Sequence, residues 1–167
     1  MFRSMLQPLL NKAALVALAL ALAAPAPVQA DETANTVLSI INGARAKAGC
    51  APLKLNAKLM SAAKSHARAM AEKNFFGHKG KDGAKLGTRA KRQGYSFHMI
   101  AENIAAGQSS PGEAAKSWLA SSGHRKNILN CKLKDTGIAV AYEADDDPLD
   151  GNSKPFHYYW VQIFGAP

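Results

Sequence analysis

The sequence predicts an α+β fold, in which helices cover a sheet, because helical patterns fill the first part of the chain and strand patterns the last. Apolar residues recur at helical spacing over residues 37–44 and again over 59–70. Residues 136–142 and 156–164 are instead rich in branched, small and aromatic side chains, as antiparallel strands are. Helices and strands in separate blocks are typical of the α+β class.

The start of the chain predicts a secretory signal peptide over residues 1–30. Arg3 and Lys12 give it a positive beginning, an unbroken apolar run follows at 13–24, and small residues precede the expected cleavage point. That run is shorter than the roughly 20 residues of a membrane-spanning helix. We therefore expect a single domain over 31–167, with no transmembrane segment in the mature chain and an extracytoplasmic location, either secreted or periplasmic.

The first elements of the mature chain are helical. The apolar stripe at 37–44 stops at Gly49, and residues 52–55 form a connector. Asn56 lies where an N-cap belongs, directly before the clearest amphipathic helix, which we expect to end near Asn74.

The middle of the chain predicts shorter elements. Four glycines and several lysines indicate a loop over 77–87, and Leu86–Gln93 predicts a short helix. Residues 95–105 are expected to be extended in part. Pro111 predicts the start of a helix that carries Trp118. Residues 121–123 are expected to end that helix, a brief turn or helix follows at 124–129, and a polar turn region separates the two C-terminal strands.

The chain is basic and contains two cysteines. Its formal net charge is +9, and removal of residues 1–30 takes away two basic residues and no acidic one. A solvated basic surface explains this charge, and attraction to anionic envelope material is the alternative. No aromatic-interleaved or helix-turn-helix pattern accompanies the charge, so we expect no nucleic-acid partner. In an oxidising compartment Cys50 and Cys131 most simply form a disulfide, with two free buried thiols as the alternative.

Three short segments carry the candidate site residues His78, Glu102 and His124. Two imidazoles and a carboxylate are common ligands of a divalent ion such as Zn²⁺, and also common acid/base groups. Three interpretations stay open: a metal site, a structural network in which Glu102 ties the histidines together, and a hydrolase with Glu102 as the candidate catalytic residue. The chain has neither a GxSxG nor an HExxH motif, which would have indicated a serine hydrolase or a common metalloprotease.

Several motifs, in this order and spacing, resemble the CAP superfamily, the SCP-like domain shared by cysteine-rich secretory, antigen 5 and pathogenesis-related proteins, and in particular its bacterial branch. The matching segments are Leu53-Lys54-Leu55-Asn56, Phe76-Gly77-His78, Arg89 with Gly94-Tyr95, Ala101-Glu102-Asn103-Ile104-Ala105, Trp118, Ser122-Gly123-His124-Arg125-Lys126-Asn127-Ile128-Leu129, Gly137-Ile138-Ala139 and Tyr159-Trp160-Val161-Gln162-Ile163-Phe164-Gly165. The resemblance implies a three-layer α-β-α sandwich with a central antiparallel sheet and a cleft of polar residues.

The resemblance also assigns site positions. It implies that His78 and His124 are the cleft histidines and that Glu102 is its first acidic residue. Many eukaryotic members carry a second acid at the position that Ser121 occupies here. This departure argues against a mechanism that uses two carboxylates.

The neighbours of the three site residues have expected supporting roles. Asn103 and Asn127 are predicted to hydrogen-bond the backbone and hold the site loops in place. Arg125, beside His124, is a candidate charge partner for Glu102, whose apolar flanks predict burial. We expect His66 to be a core histidine, and His98 and His157 to be structural.

The sequence therefore predicts a secreted binding module rather than an enzyme. Its histidine/glutamate cleft would take a divalent cation, and a nearby groove would bind a small apolar ligand, a cell-envelope component or a protein. The alternative function is a metal-dependent hydrolase acting on peptides or envelope polymers.

Overall fold

A computed structural model describes residues 27–167, with side chains from Glu32 onward, and it confirms the α+β class. A four-stranded sheet lies between two layers of helices, as the three-layer prediction required. The elements in chain order are α1 (Pro27–Lys47), β1 (Lys54–Leu55), α2 (Ala57–Glu72), α3 (Leu86–Arg92), β2 (Met99–Ala106), α4 (Pro111–Ala120), α5 (Ser122–Ile128), β3 (Asp135–Tyr142) and β4 (Tyr158–Ala166).

The sheet has the strand order β1-β3-β4-β2. Strand β4 is antiparallel to both β2 and β3, as predicted for the central sheet. The expectation of a plain connector at residues 52–55 is wrong in part, because Lys54 and Leu55 form the short edge strand β1, parallel to β3. Backbone hydrogen bonds from Lys54 N to Lys134 O (2.9 Å) and from Asn56 N to Thr136 O (2.9 Å) hold it there.

Strand β4 is buried on both faces and supplies both halves of the core. Trp160 and Phe164 pack against α1 and α4, whereas Val161 and Ile163 pack against α2. Successive side chains of a strand point to opposite faces, so the alternation along β4 serves both helical layers. Burial on both faces also explains why its sequence is apolar almost throughout.

The helix starts follow the sequence, with one exception. The Asn56 side chain accepts hydrogen bonds from the backbone N–H groups of Lys58 (3.0 Å) and Leu59 (3.3 Å), so the predicted N-cap of α2 is confirmed. The predicted break over residues 121–123 is too long. Ser121 alone is extended, and α5 begins at Ser122, with Gly123 inside its first turn.

Helix α2 approaches the sheet closely enough to require a glycine. A Cβ atom at Gly137 in β3 would overlap the backbone of Leu59 in α2. Gly165 in β4 has a similar role, because a Cβ there would overlap the ring of Tyr95. These two positions set how closely α2 and the Tyr95 ring approach the sheet.

The end of α1 is anchored by a buried arginine that the sequence analysis did not identify. Arg45 is 0% exposed and donates hydrogen bonds to four backbone carbonyl groups. These belong to Ala51, Ile128, Asn130 and Leu133. Cys50 and Cys131 form the predicted disulfide beside this cluster. In the sequence, the burial of Arg45 is indicated only by its spacing, since it follows Val37 and Ile41 on the same helical stripe at intervals of four residues.

The signal-peptide prediction lies outside the described residues except at 27–30, which belong to α1. Within residues 27–167 no helix combines the length and apolar character needed to cross a membrane.

Candidate functional site

Glu102 lies in the middle of β2 and is the centre of the candidate site. Its side chain is only 2% exposed, and both carboxylate oxygens have partners. Oε1 accepts a hydrogen bond from Nδ1 of His78 at 2.8 Å, and Oε2 pairs with Nη2 of Arg89. A buried carboxylate requires such partners, because burial without them would cost several kcal/mol. The prediction that Glu102 is buried and paired is therefore confirmed.

Arg89 in α3 is the cation that balances Glu102. Its side chain is 9% exposed, and Nη1 also donates to the carbonyl oxygens of His78 (2.7 Å) and Ala84 (3.2 Å). One guanidinium group therefore joins β2, α3 and the loop that carries His78. The sequence offered Arg125 as a candidate charge partner for Glu102, but Arg125 does not pair with it. It lies on the exposed side of α5 and donates to Leu119 O at 3.1 Å.

His78 presents one ring nitrogen to the site and the other to its surroundings. The ionised carboxylate of Glu102 can only accept a hydrogen bond, so Nδ1 of His78 carries the proton in that contact. The His78 side chain is 60% exposed. Its Nε2 atom makes no hydrogen bond with the residues that the structure describes. This is the arrangement that orients a histidine as a ligand or as an acid/base group.

His124 lies in the first turn of α5, close to His78. Burial lowers the pKa of His124 below its ordinary value, and the electrostatic interaction with His78 lowers it further. The imidazole is therefore neutral near pH 7 and can use a ring lone pair. Its backbone is held in place, because Nδ2 of Asn103 donates to the carbonyl oxygen of His124 at 3.2 Å.

Two asparagines connect the strand of Glu102 to the helix of His124. Asn127 Nδ2 donates to Glu102 O at 3.3 Å and to Oδ1 of Asn103 at 2.9 Å. Asn103 is fully buried, and the bonds of Asn127 are partly buried. They set the position of α5 relative to β2, and with it the position of His124 relative to Glu102.

The cleft beside this network has a volume of about 270 Å³ and a basic rim. Lys79 and Lys85 line it together with His78, Leu86 and Glu102. No second carboxylate stands at the position that the resemblance singled out. Ser121 is there and serves as the N-cap residue of α5.

Among the residues that the structure describes, no group of three or more His, Cys, Asp or Glu side chains is arranged to hold a metal ion. Both Glu102 oxygens are engaged, which leaves the two imidazoles as the available donors. Imidazole nitrogens are common donors to Zn²⁺ and similar divalent cations. The metal assignment of the three residues stays a prediction.

The remaining histidines do not hydrogen-bond Glu102, although His66 is close enough to interact electrostatically with Arg89, Glu102 and His78. His66 is 1% exposed in α2, and its Nε2 bonds to Gly77 O at 2.9 Å. Burial is the main cause that lowers the pKa of His66. His157 bonds through Nδ1 to Glu143 O at 2.9 Å.

Sequence reasoning did not assign a role to Arg89. The sequence offered only an indirect indication that Arg89 pairs with Glu102. A carboxylate between apolar residues needs a cation, and Arg89 is one of the residues that carry the family resemblance. Four basic side chains lie between Lys85 and Arg92, and nothing in their spacing shows which of them faces Glu102.

A small α+β domain with two helical layers and a histidine/glutamate/arginine network on its central sheet defines the class of this protein. The model of the cysteine-rich secretory protein family, CAP, matches residues 38–164. The chain belongs to this family.

Relatives support the assignment. The chain is 38% identical over 119 residues to the uncharacterized protein YkwD of Bacillus subtilis, covering 71% of this chain and 45% of that protein. It is 33% identical over 104 residues to the uncharacterized membrane protein YlbC of the same organism, covering 62% of this chain and 30% of YlbC. The chain thus spans less than half the length of these curated relatives.

Solved structures show the same fold. An extracellular protein of Bacillus anthracis that contains an SCP domain aligns with a TM-score of 0.71 at 24% identity, over 87% of this chain and 45% of that one. An outer surface protein of Borrelia burgdorferi aligns with a TM-score of 0.69 at 21% identity, over 81% of this chain and 92% of that one.

Proposed function

We propose that this protein is an extracytoplasmic binding module, secreted or periplasmic, in which His78 of the cleft and the nearby His124 hold a divalent cation such as Zn²⁺. In this proposal Glu102 orients His78 and is not itself the ligand. The module binds a cell-envelope component, a small apolar ligand or a protein and catalyses no reaction.

The observation that carries the proposal is the engagement of both Glu102 oxygens. A general base must come within hydrogen-bond reach of the substrate proton, about 2.6–3.2 Å or through one water. Glu102 is almost inaccessible, and its oxygens already accept from His78 and Arg89. The carboxylate is therefore placed to position a histidine, as carboxylates behind metal-bound histidines are.

The two imidazoles supply the donors of the proposed cation site. Nε2 of the exposed His78 ring is available, and the lowered pKa of His124 keeps that ring neutral. A bound zinc ion would supply positive charge and open coordination positions for a ligand oxygen. Lys79 and Lys85 on the rim favour a ligand with negative charge.

An aromatic pair near His78 supports a ligand with an apolar part. Phe76 is 42% exposed, and its ring centroid lies 6.1 Å from that of Phe156. Phe76 precedes His78 by two residues, so this apolar surface is next to the loop that forms the cleft. Aromatic side chains are enriched at binding interfaces.

Zinc titration by calorimetry tests the proposal at about pH 7.5 and about pH 5, on either side of the ordinary histidine range. We expect saturable binding at the higher pH that disappears at the lower pH and in His78→Ala and His124→Ala. His98→Ala removes an exposed histidine elsewhere and is the matched control. Binding that is unchanged in both cleft variants contradicts the proposed site.

The hydrolase alternative makes a different prediction for the same variants. With peptide and envelope-polymer substrates, an enzyme would lose turnover sharply in His78→Ala, Glu102→Gln and His124→Ala. The binding module shows no turnover in the wild-type protein with zinc present. Turnover that these three variants abolish and His98→Ala retains contradicts the non-catalytic part of the proposal.

A further inference from the structure

The loop that carries His78 has little backbone support of its own. Among the described residues, none of 76–79 takes part in a hydrogen bond between two backbone groups. The nearest such bonds are Phe75 N to Met70 O (3.1 Å) before this stretch and Gly80 N to Ala84 O (3.0 Å) after it. Backbone groups that are not paired with each other need side chains or water as partners. The position of His78 therefore depends on side chains from other elements.

Two buried side chains supply this support, one on each side of His78. Nε2 of His66, in α2, lies 2.9 Å from Gly77 O, and Nη1 of Arg89, in α3, donates to His78 O at 2.7 Å. The Gly77 carbonyl belongs to the planar peptide that precedes the Cα atom of His78, and the His78 carbonyl belongs to the planar peptide that follows it. Both peptide planes that flank this Cα atom are thus held by a hydrogen bond.

The His66 ring is itself fixed in place. It lies on the buried face of α2, and the Phe75 ring packs edge-on against it with the centroids 6.0 Å apart. Burial is the main cause that lowers the pKa of His66, so the ring is neutral near pH 7. A neutral imidazole has one N–H group and a carbonyl oxygen can only accept, so the contact with Gly77 O requires the Nε2–H tautomer.

The contact between His78 and Glu102 tolerates only a small displacement of the loop. Nδ1 of His78 lies 2.8 Å from Oε1 of Glu102. An N–H···O hydrogen bond has a length of about 2.7–3.2 Å, so a shift of roughly 0.5–1 Å would break this one. The bond from His66 acts on the peptide directly before His78 and therefore limits such a shift.

We propose that His66 is a positioning residue for His78. By holding the Gly77 carbonyl, its Nε2–H group keeps Nδ1 of His78 against Glu102 and directs Nε2 of His78 toward a ligand. His66 itself does not contact that ligand. The use of His78 Nε2 for a cation rests on the function proposed above, whereas the orientation of the His78 ring does not.

The imidazole tautomers test the proposal in the purified full chain. Two-bond ¹H–¹⁵N correlation spectra of the metal-free protein at about pH 8, above the ordinary histidine range, report which ring nitrogen carries the proton. We expect the Nε2–H tautomer at His66 and the Nδ1–H tautomer at His78, each assigned by the signals that its glutamine variant lacks. An Nδ1–H tautomer at His66 would overturn the proposal, because Nε2 could not then donate to Gly77 O.

Two substitutions separate the hydrogen bond of His66 from the packing of its ring. His66→Leu fills the buried position without a donor, whereas His66→Gln retains an N–H donor. We expect His78 to lose its preference for the Nδ1–H tautomer in His66→Leu and to keep it in His66→Gln. Met70→Leu changes the packing about one turn further along the same buried face and is the matched control, with the wild-type tautomer at His78.

Zinc titration extends the test to the proposed cation. We expect His66→Leu to bind zinc about tenfold more weakly, at the lower end of what the outer partners of metal-bound histidines contribute, and His66→Gln to bind like the wild type. Unchanged affinity in His66→Leu would contradict the positioning role. If the wild-type protein binds no zinc, the function proposed above is wrong, and the tautomers, which are measured without metal, still decide this inference.

Two further results would overturn the proposal. The first is the wild-type tautomer at His78 in folded His66→Leu, which would mean that the loop is held without His66. The second is an equal loss of that tautomer in His66→Leu and His66→Gln, which would assign the effect to ring packing. Thermal unfolding establishes that each variant is folded. Should His66→Leu not fold, the tautomer of His66 in the wild-type protein and the result for His66→Gln decide.

Discussion

Arg89 and Glu102 form an ion pair that is buried between α3 and β2, with side chains 9% and 2% exposed. The same carboxylate accepts a hydrogen bond from the 60% exposed ring of His78 at 2.8 Å. A buried charge pair therefore fixes the orientation of a solvent-accessible imidazole. This relationship explains how a loop residue such as His78 keeps a defined direction.

The Arg89–Glu102 pair predicts a large stability loss when one partner is removed. We expect Glu102→Ala to lower the free energy of unfolding by about 3 kcal/mol or more, because the Arg89 charge would stay buried without a counterion. Urea unfolding measures the loss. Glu72→Ala breaks the exposed Arg68–Glu72 pair and should cost less than about 1 kcal/mol. Equal losses in the two variants would refute the structural importance of the buried pair.

Arg45 predicts a comparable loss at the end of α1. Arg45→Met keeps an apolar side chain of similar length but leaves four carbonyl groups without their donor. Each buried polar group without a partner costs about 1–3 kcal/mol, so a decrease of at least 3 kcal/mol is expected by chemical denaturation. Arg125→Met removes one exposed hydrogen bond and serves as the control. A change below 1 kcal/mol for Arg45→Met would contradict the anchoring role.

Two glycines predict opposite effects of the same substitution. Gly137→Ala should strongly destabilise the protein, because the new methyl group overlaps the backbone of Leu59. Gly43 lies inside α1 with no atom within 4 Å of a Cβ, and Gly43→Ala should stabilise by about 0.5–1 kcal/mol through helix propensity. Thermal unfolding midpoints of the two variants, compared with that of the wild type, test both expectations. Similar midpoints for the two variants would show that α2 can move away from β3.

The lowered pKa of His66 predicts acid sensitivity. Its folded pKa lies below the unfolded value of about 6.5, so on acidification the unfolded state takes up a proton first. Stability is complete above about pH 7 and decreases as the pH falls through the unfolded pKa. His66→Gln should therefore reduce the slope of unfolding free energy against pH between about pH 7 and about pH 5. His98→Gln should keep the wild-type slope. An unchanged slope in His66→Gln would rule out this residue as a source of the sensitivity.

Local sequence signals determined most of the secondary structure. Asn56 before the Leu59/Ala63 stripe specified both the start and the buried face of α2, because capping and helical periodicity depend on neighbours in sequence. The branched, small and aromatic residues of 136–142 and 156–164 indicated two of the three long strands, β3 and β4, for the same reason. The order of the motifs was enough to assign the family, and with it the two histidines and Glu102 as candidates.

Tertiary structure alone decided which groups meet. The pairing of β1 with β3, the choice of Arg89 over Arg125 as partner of Glu102, and the four carbonyl groups around Arg45 all join residues distant in sequence. A buried charge can be satisfied by any cation or carbonyl group that packing brings near it, and the residue spacing does not encode that choice. The sequence thus determined the fold class and the candidate residues. Tertiary packing decided that the Glu102 carboxylate accepts a hydrogen bond from Nδ1 of His78 and pairs with Arg89, which engages both of its oxygens.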